Sequence, residues 1–298
     1  MLYLGELAAI LTSITYAANS ALFTVAGRKV GAMVVNRVRL AAACLFLCLG
    51  GWILTGNPWP LDAGWEHWFW LGSSGIVGLV IGDAFLFQAF VWVGPRLSML
   101  MMSLAPIIAA FVAWIILGES LSGMQIAGVL ITLLGVSWVV LDKNSKASGK
   151  KENYLRGILY GLAGATGQGL GLVLAKPGLR DDFSPLSANF IRMFSACVLI
   201  WLITLAQKKF RSTIREVRIN SQALLAILGG AFSGPFLGVT LSLFALQNTS
   251  IGVASTLMAL PPIFLLPAEA VLFKEKIGWG SILGTGVALL GVAVLFLF

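Results

Sequence analysis

The segments GVLITLLGV (residues 128–136) and GTGVALLGV (residues 284–292) lie 156 residues apart and share their first glycine and their closing Leu-Leu-Gly-Val. The same offset aligns five further pairs: Gly78 with Gly234, Gly82 with Gly238, Met102 with Met258, Pro106 with Pro262, and Glu119 with Glu275. Nearer the start of each half, an offset of 153 aligns Asn36 with Asn189, Arg39 with Arg192, and Cys44 with Cys197. Identical spacing of proline, glutamate and glycine indicates an internal duplication, because chance would match only a few glycines.

The composition is typical of a membrane protein. Of the 298 residues, 58% are hydrophobic and 11% are charged, and the mean hydropathy is +0.93. A soluble domain has roughly 45–50% apolar and about 25% charged residues. These values argue against a soluble enzyme, a disordered chain and a disulfide-stabilised secreted domain. The net charge of +8 comes from residues between the apolar runs, so it indicates topology and no nucleic-acid partner.

Ten apolar runs are long enough to cross a bilayer as helices. They cover residues 4–25, 32–54, 68–90, 98–117, 124–141, 155–174, 186–206, 224–246, 251–273 and 277–298. We therefore predict an all-α membrane protein of ten transmembrane helices, in two five-helix repeats (residues 1–141 and 154–298) joined by the polar linker 142–153. Because five is odd, the second repeat enters the membrane from the opposite side, and the repeats are inverted.

The motifs of the two halves resemble those of a known transporter family, the EamA-type branch of the drug/metabolite transporter superfamily. The resemblance covers both halves and includes an arginine early in the second and seventh predicted helices. Its main motifs are Gly118-Glu119-Ser-Leu with Gly128 and Gly135, and Lys274-Glu275-Lys-Ile with Gly284 and Gly291.

That resemblance implies a function in membrane transport. We expect a secondary active transporter that exports a small organic metabolite, such as an amino acid or drug-like solute, by alternating access. Proton coupling is one form that this transport could take. The alternative is a facilitative channel or exchanger for a small solute such as a phosphorylated or nucleotide-linked sugar.

The sequence contains no recognised catalytic motif. Its one histidine, His67, lies in a predicted loop, and its three cysteines lie within apolar runs. HExxH, GxSxG and phosphate-binding glycine loops do not occur. We therefore expect no enzymatic activity, no metal and no cofactor. The expected partners are a small-molecule substrate, the lipid bilayer and protons, with the chain acting as a monomer or homodimer.

The positive charges are distributed unevenly between the predicted loops. All but three of the 20 Lys and Arg residues lie at the loops that follow odd-numbered helices; the exceptions are Lys176, Arg180 and Arg192. Cytoplasmic loops carry an excess of Lys and Arg. We therefore predict a multi-pass protein of the cell (inner) membrane with both termini on the outer side.

Asp83 is the most informative polar residue, because it lies near the middle of the third predicted helix. A charged group there is costly in hydrocarbon and is therefore a candidate functional site. The apolar residues on its face would disfavour its charged form, as a proton-coupled carrier requires; they are Ile76, Leu79, Phe87 and Phe90. Alternatively, Asp83 caps a helix break after Gly78 and Gly82 or is held by another helix.

Five other polar residues inside the predicted helices are candidates for substrate binding or coupling. Tyr16 and Asn19 share one face of the first helix with Glu6, while Gln168 lies in a glycine-rich stripe of the sixth and Glu269 in the ninth. One interpretation is a proton path through Glu6, Asp83 and Glu269. The other is a shallow Glu6 and a Glu269 paired with a lysine at its helix end.

Two matched pairs complete the candidate set. Arg39 and Arg192 lie about a turn or two inside their helices, where they could bind an anionic group or extend to the interface. Pro106 and Pro262 are candidate gates, because a proline inside a helix removes a backbone donor and favours a kink.

Overall fold

The computed structural model describes residues 3–60, 63–117, 122–141, 151–180, 183–249, 251–273 and 278–297. Within these ranges the regular structure is helical. The first half contains α1 (Leu4–Val30), α2 (Ala32–Thr55), α3 (Trp65–Gly75), a first π segment (Ile76–Gly82), α4 (Asp83–Val93), α5 (Pro95–Met102), α6 (Ala105–Leu117) and α7 (Gly123–Leu141). The second half contains α8 (Lys151–Gly178), α9 (Pro185–Ala206), α10 (Phe210–Ile219), α11 (Ser221–Ala231), a second π segment (Phe232–Gly238), α12 (Val239–Asn248), α13 (Ile251–Met258), α14 (Pro261–Leu272) and α15 (Trp279–Leu297).

The offset of 156 residues also relates the secondary structure of the two halves. Adding 156 to the first and last residue numbers of α3 gives the first and last residues of α11. The same holds for the first and second π segments, for α5 and α13, and for α7 and α15. Helix ends depend on local sequence signals. The aligned residues therefore have the same local structural role in each half.

The helices have the length and surface of membrane-spanning segments. Eight helical stretches of the described chain are long and apolar enough to cross a bilayer, and two shorter apolar helices cover Thr256–Leu272 and Trp279–Leu295. Large apolar side chains lie on the outside: Leu141, Val271 and Trp279 are 77%, 74% and 79% exposed. A surface of this kind suits a hydrocarbon environment.

Helices α7 and α15 pack against each other through aligned glycines. A Cβ atom added to Gly128 would lie 2.8 Å from the carbonyl oxygen of Gly291, and one added to Gly284 would lie 3.2 Å from that of Gly135. The glycine nearer the start of each helix therefore faces the glycine nearer the end of the other, so the two helices are antiparallel. Small residues allow this close approach, which stabilises helix pairs in lipid, where no hydrophobic force joins them.

The first helix of each half crosses the third helix of the other half. Helix α8 packs along α3, the first π segment and α4, while α1 packs along α11, the second π segment and α12. At the first crossing the backbones nearly touch, since a Cβ atom on Gly167 would lie 2.6 Å from Cα of Gly82. Each π segment therefore packs against the first helix of the other half.

The predicted fourth and ninth helices are each interrupted. Short turns at residues 103–104 and 259–260 separate α5 from α6 and α13 from α14. Pro106 and Pro262 follow these turns as the second residue of α6 and of α14. In the first turn of a helix a proline removes no helical hydrogen bond. The expected kink inside a continuous helix is therefore corrected to a break that precedes each proline.

Helix α10 lies in a stretch that the sequence analysis assigned to a loop. Its Thr213 is buried, and the hydroxyl of Thr213 accepts a hydrogen bond from Arg37 Nη1 of α2 at 2.9 Å. The predicted linker lies outside the described residues except at 151–153, which begin α8. Glu119 and Glu275 of the family motifs also lie outside the described residues.

Candidate functional site

A cavity of about 300 Å³ lies between the two halves, beside both π segments. Six of the eight predicted binding or coupling residues line it: Tyr16, Asn19, Arg39, Asp83, Gln168 and Arg192. Asn189 completes the polar lining. The apolar lining is formed by Phe23, Leu79, Leu86, Phe87, Phe90, Met99, Met102, Met193, Pro235 and Val239.

Asp83 is held by residues of two other helices. Its carboxylate is buried; Oδ2 accepts a hydrogen bond from Arg39 Nη2 at 2.5 Å, and Oδ1 accepts one from Gln168 Nε2 at 2.6 Å. The guanidinium of Arg39 also lies over the ring of Phe87, with Cζ 5.0 Å from the ring centroid. Pairing and hydrogen bonding offset the cost of burying both charges. Arg39 is therefore turned into the protein and does not extend to an interface.

The first π segment helps to position this network. Its backbone carbonyls accept hydrogen bonds from side chains: Gly78 O from Gln168 Nε2 at 3.2 Å, and Leu79 O from Asn36 Nδ2 at 3.1 Å. Asn36 Oδ1 in turn accepts a hydrogen bond from Arg39 Nη2 at 3.1 Å. Short π segments are frequent at functional sites. Of the alternatives left open by the sequence, the hold by other helices is observed, whereas the hydrogen bonds of the Asp83 side chain go to Arg39 and Gln168 and not to the start of α4.

The second half repeats the asparagine and the arginine of this network but lacks its carboxylate. Asn189 and Arg192 are the equivalents of Asn36 and Arg39, whereas Val239 stands where the first half has its aspartate. Asn189 Nδ2 and Arg192 Nε are buried and have no hydrogen-bond partner among the described residues. The charged groups in the described cavity wall are therefore two arginines and one aspartate.

Helix α1 closes the cavity next to the second π segment. Asn19 lies against Gly234, and a Cβ atom added to Gly238 would lie 2.6 Å from Cε1 of Tyr16. A larger residue at Gly238 would displace the tyrosine ring.

Glu6 and Glu269 do not line the cavity. Glu6 Oε1 accepts a hydrogen bond from Thr249 Oγ1 at 2.8 Å, which ties α1 to the end of α12. Glu269 is buried and forms an ion pair with Arg96, whose Nε lies 2.5 Å from Oε2. The predicted partner of Glu269, a lysine at its helix end, lies outside the described residues, and an arginine from the first half forms the observed pair.

Three residues of these networks were absent from the predicted site. Asn36 and Asn189 were recognised as an aligned pair but assigned no function, although aligned amides in apolar helices are a usable signal. Arg96 was interpreted as a loop charge. Its predicted position in the loop before the fourth helix gave no sign that its side chain turns inward.

Together, the apolar helices define a multi-pass membrane protein, and residues of both halves line a cavity within it. The profile of the EamA-like transporter family matches residues 3–141 and 155–297, and the chain belongs to that family. It is accordingly a membrane transporter of the drug/metabolite superfamily, and the family assignment predicted from its motifs is confirmed.

A solved structure supports the fold. One crystal structure of a protein matches with a TM-score of 0.59 and 17% sequence identity, over 97% of this chain and 96% of its own. At this identity the similarity shows a shared fold alone. No curated relative matches the chain.

Proposed function

We propose that this transporter is a secondary carrier that moves a small organic solute by alternating access, with the central cavity as its binding site. The cavity itself carries this proposal. Its volume of about 300 Å³ is at the lower end of the range for small-molecule sites. Buried donors without partners are costly, so their presence in its wall favours a site that a ligand completes.

The proposal includes ten membrane crossings in two inverted repeats, residues 1–141 and 154–298. Antiparallel packing of the equivalent helices α7 and α15 supports the inversion, as does the reciprocal crossing of α1 and α8. Repeats related by an axis in the membrane plane can exchange conformations. Such an exchange would open the cavity first to one side of the membrane and then to the other.

We propose Asp83 as the group that couples transport to protons, with export from the inner membrane as the direction. Asp83 is the one carboxylate in the described cavity wall, and its hydrogen bonds join three helices. A proton on this carboxylate would weaken its hold on Arg39. Protonation would thereby change the contacts between α2 and α4 inside the cavity.

Counterflow in proteoliposomes tests the proposed function. Vesicles with the purified protein are loaded with one unlabelled solute from a panel of amino acids, organic acids and sugar phosphates, and labelled solute is added outside. A carrier gives saturable, transient accumulation of label. A channel gives equilibration without accumulation, and exchange without net flux identifies an exchanger. Leu225→Ala is a matched control, because Leu225 is 69% exposed on the outer surface.

A further inference from the structure

We propose that the cavity binds a small organic monocarboxylate with an apolar body, and that Arg192 and Asn189 hold its carboxylate. This assignment rests on the proposed transport function. It follows from the way in which the second half departs from the first.

The first half neutralises its own arginine. Arg39 is paired with Asp83, and the amide nitrogen of Asn36 donates to Leu79 O at 3.1 Å. In the first half the arginine therefore has a counter-charge and the asparagine nitrogen has an acceptor, although Arg39 Nε, like Arg192 Nε, is buried without a hydrogen-bond partner among the described residues. No ligand charge is needed to neutralise Arg39.

The second half leaves the equivalent groups incomplete. Val239 occupies the position of the missing carboxylate, and in the described part of the chain no ion pair includes Arg192. Arg192 Nε and Asn189 Nδ2 are both buried and without acceptors in that same part. A carboxylate has two oxygens that can accept from a guanidinium and an amide together. One such group would supply what the second half lacks.

The charge of the cavity favours a single negative charge on the ligand. Arg39, Arg192 and Asp83 give the described wall a formal charge of one positive unit. A buried charge is stabilised by a partner of opposite sign. A monoanion would balance this charge, whereas a phosphate dianion would overcompensate it.

The charge of the aspartate is already balanced by an arginine. Its oxygens accept hydrogen bonds from Arg39 at 2.5 Å and from Gln168 at 2.6 Å, so a ligand ammonium would have to compete with a guanidinium for the carboxylate. An ammonium group in the cavity would therefore meet two arginines and no carboxylate without a counter-charge. The remaining wall is largely phenylalanine, methionine and leucine, which suits an apolar body. We therefore expect the cavity to favour a carboxylate without an amine over the corresponding amino acid.

A series of ligands that share a phenyl group and differ in their polar group tests this preference for a carboxylate. The probes are 3-phenylpropionate, phenylalanine, phenethylamine and phenyl phosphate, and binding to the purified protein is measured by calorimetry and thermal stabilisation. We expect 3-phenylpropionate to bind most tightly and phenethylamine to bind most weakly. Tightest binding of the amine or of phenyl phosphate overturns the assignment, as does a lack of binding by 3-phenylpropionate.

Substitutions identify the residues. Arg192→Gln should weaken the binding of 3-phenylpropionate about 10- to 100-fold, which is the usual effect of losing one hydrogen bond to a charged group. Val239→Asp gives the second half its own carboxylate and should abolish binding, whereas Val239→Asn, whose side chain has nearly the shape of aspartate without the charge, should weaken binding much less. Equal binding by these two Val239 variants, when both are folded by size-exclusion chromatography and melting temperature, overturns the proposal.

The two proposals fail in different ways. If some solute of the larger panel gives counterflow while 3-phenylpropionate does not bind, the assigned ligand is wrong and the carrier function stands. If 3-phenylpropionate binds with the expected response to Val239→Asp but no solute gives counterflow, the site is real and the carrier function is wrong.

Discussion

Arg96 and Glu269 form a buried ion pair that joins the two halves of the transporter, with Nε 2.5 Å from Oε2. The backbone N–H of Arg96 also donates to Glu269 Oε1 at 3.2 Å, and Arg96 Nη1 donates to Ser281 Oγ at 2.6 Å. One arginine therefore connects α5 with α14 and α15. Since neither charge lines the cavity, we expect this pair to stabilise the assembly of the halves.

The first prediction concerns this pair. Glu269→Gln leaves Arg96 buried without its counter-charge, which typically costs about 3–5 kcal/mol. We expect a lower melting temperature, together with unchanged counterflow and unchanged pH dependence in the protein that survives purification. The double variant Arg96→Met, Glu269→Leu should restore much of the stability, because both buried charges are then removed. A Glu269→Gln protein with normal stability and altered pH dependence would instead make Glu269 a coupling residue.

The second prediction concerns the contact between α7 and α15. Gly284→Val should reduce stability, because an added Cβ would lie 2.7 Å from Cγ2 of Val139 and 3.2 Å from the carbonyl oxygen of Gly135. Inserting side-chain atoms into a packed interface costs about 1–3 kcal/mol. Gly286→Val is the control, since the space around Gly286 is open within 4 Å in the described structure. Similar melting temperatures for the two variants would refute this packing role.

Much of the fold could be predicted because its signals are local. Apart from α10, the described helices overlap the predicted apolar runs, since a bilayer imposes both length and composition on a crossing helix. The repeat could be recognised from proline and glycine spacing, because these residues mark helix starts and close contacts in both halves. Six site residues could be predicted because polar groups are rare in such helices.

The partners of those residues could not be predicted. Arg39 precedes Asp83 by 44 positions, and only tertiary packing brings the guanidinium to the carboxylate. The helix breaks and π segments were missed because hydropathy does not change across them. Helix α10 was missed because its arginines were interpreted as topology signals, although Thr213 and Val217 form a buried face.

The third prediction concerns the break between α13 and α14. Pro262 lies in the first turn of α14, so Pro262→Ala removes no helical hydrogen bond and should not prevent folding. Because Pro261 also begins α14, Pro262→Ala is combined with Pro261→Ala, which allows the two helices to join and would stiffen a candidate gate. We expect normal yield with slower counterflow. Pro106→Ala should have the same effect. Pro267→Ala is the control, because Pro267 lies inside α14, beyond the break. Poor expression with full specific activity would argue for a folding role.

The fourth prediction tests the orientation. In a background without Cys44, Cys48 and Cys197, Ser212→Cys on α10 should react only with membrane-permeant reagents in intact cells. Asn57→Cys, in the exposed turn after α2, should react with impermeant reagents. The positive charges around α10 predict that this end of the bundle faces the cytoplasm. The reverse labelling pattern would invert the proposed topology and leave the antiparallel packing of α7 and α15 intact.

The fifth prediction concerns Asp83 as the coupling carboxylate. Asp83→Asn resembles a permanently protonated aspartate, because an amide is uncharged and can still accept a hydrogen bond from Gln168. We expect this variant to perform counterflow but to lose accumulation driven by a pH gradient. The measurement compares both activities in the same proteoliposomes, with the solute that gives counterflow in the unmodified protein.

Stability must be separated from coupling in this variant, since Asp83→Asn also leaves Arg39 buried without its counter-charge. That loss should lower the melting temperature, and Arg39→Gln combined with Asp83→Asn should restore part of it, because the pair is then removed as a unit. A structural role alone predicts that gradient-driven transport returns with stability in the double variant. A coupling role predicts that it stays absent, because no protonatable carboxylate remains in the described cavity wall. Unchanged gradient-driven transport by Asp83→Asn itself would exclude Asp83 as the proton site.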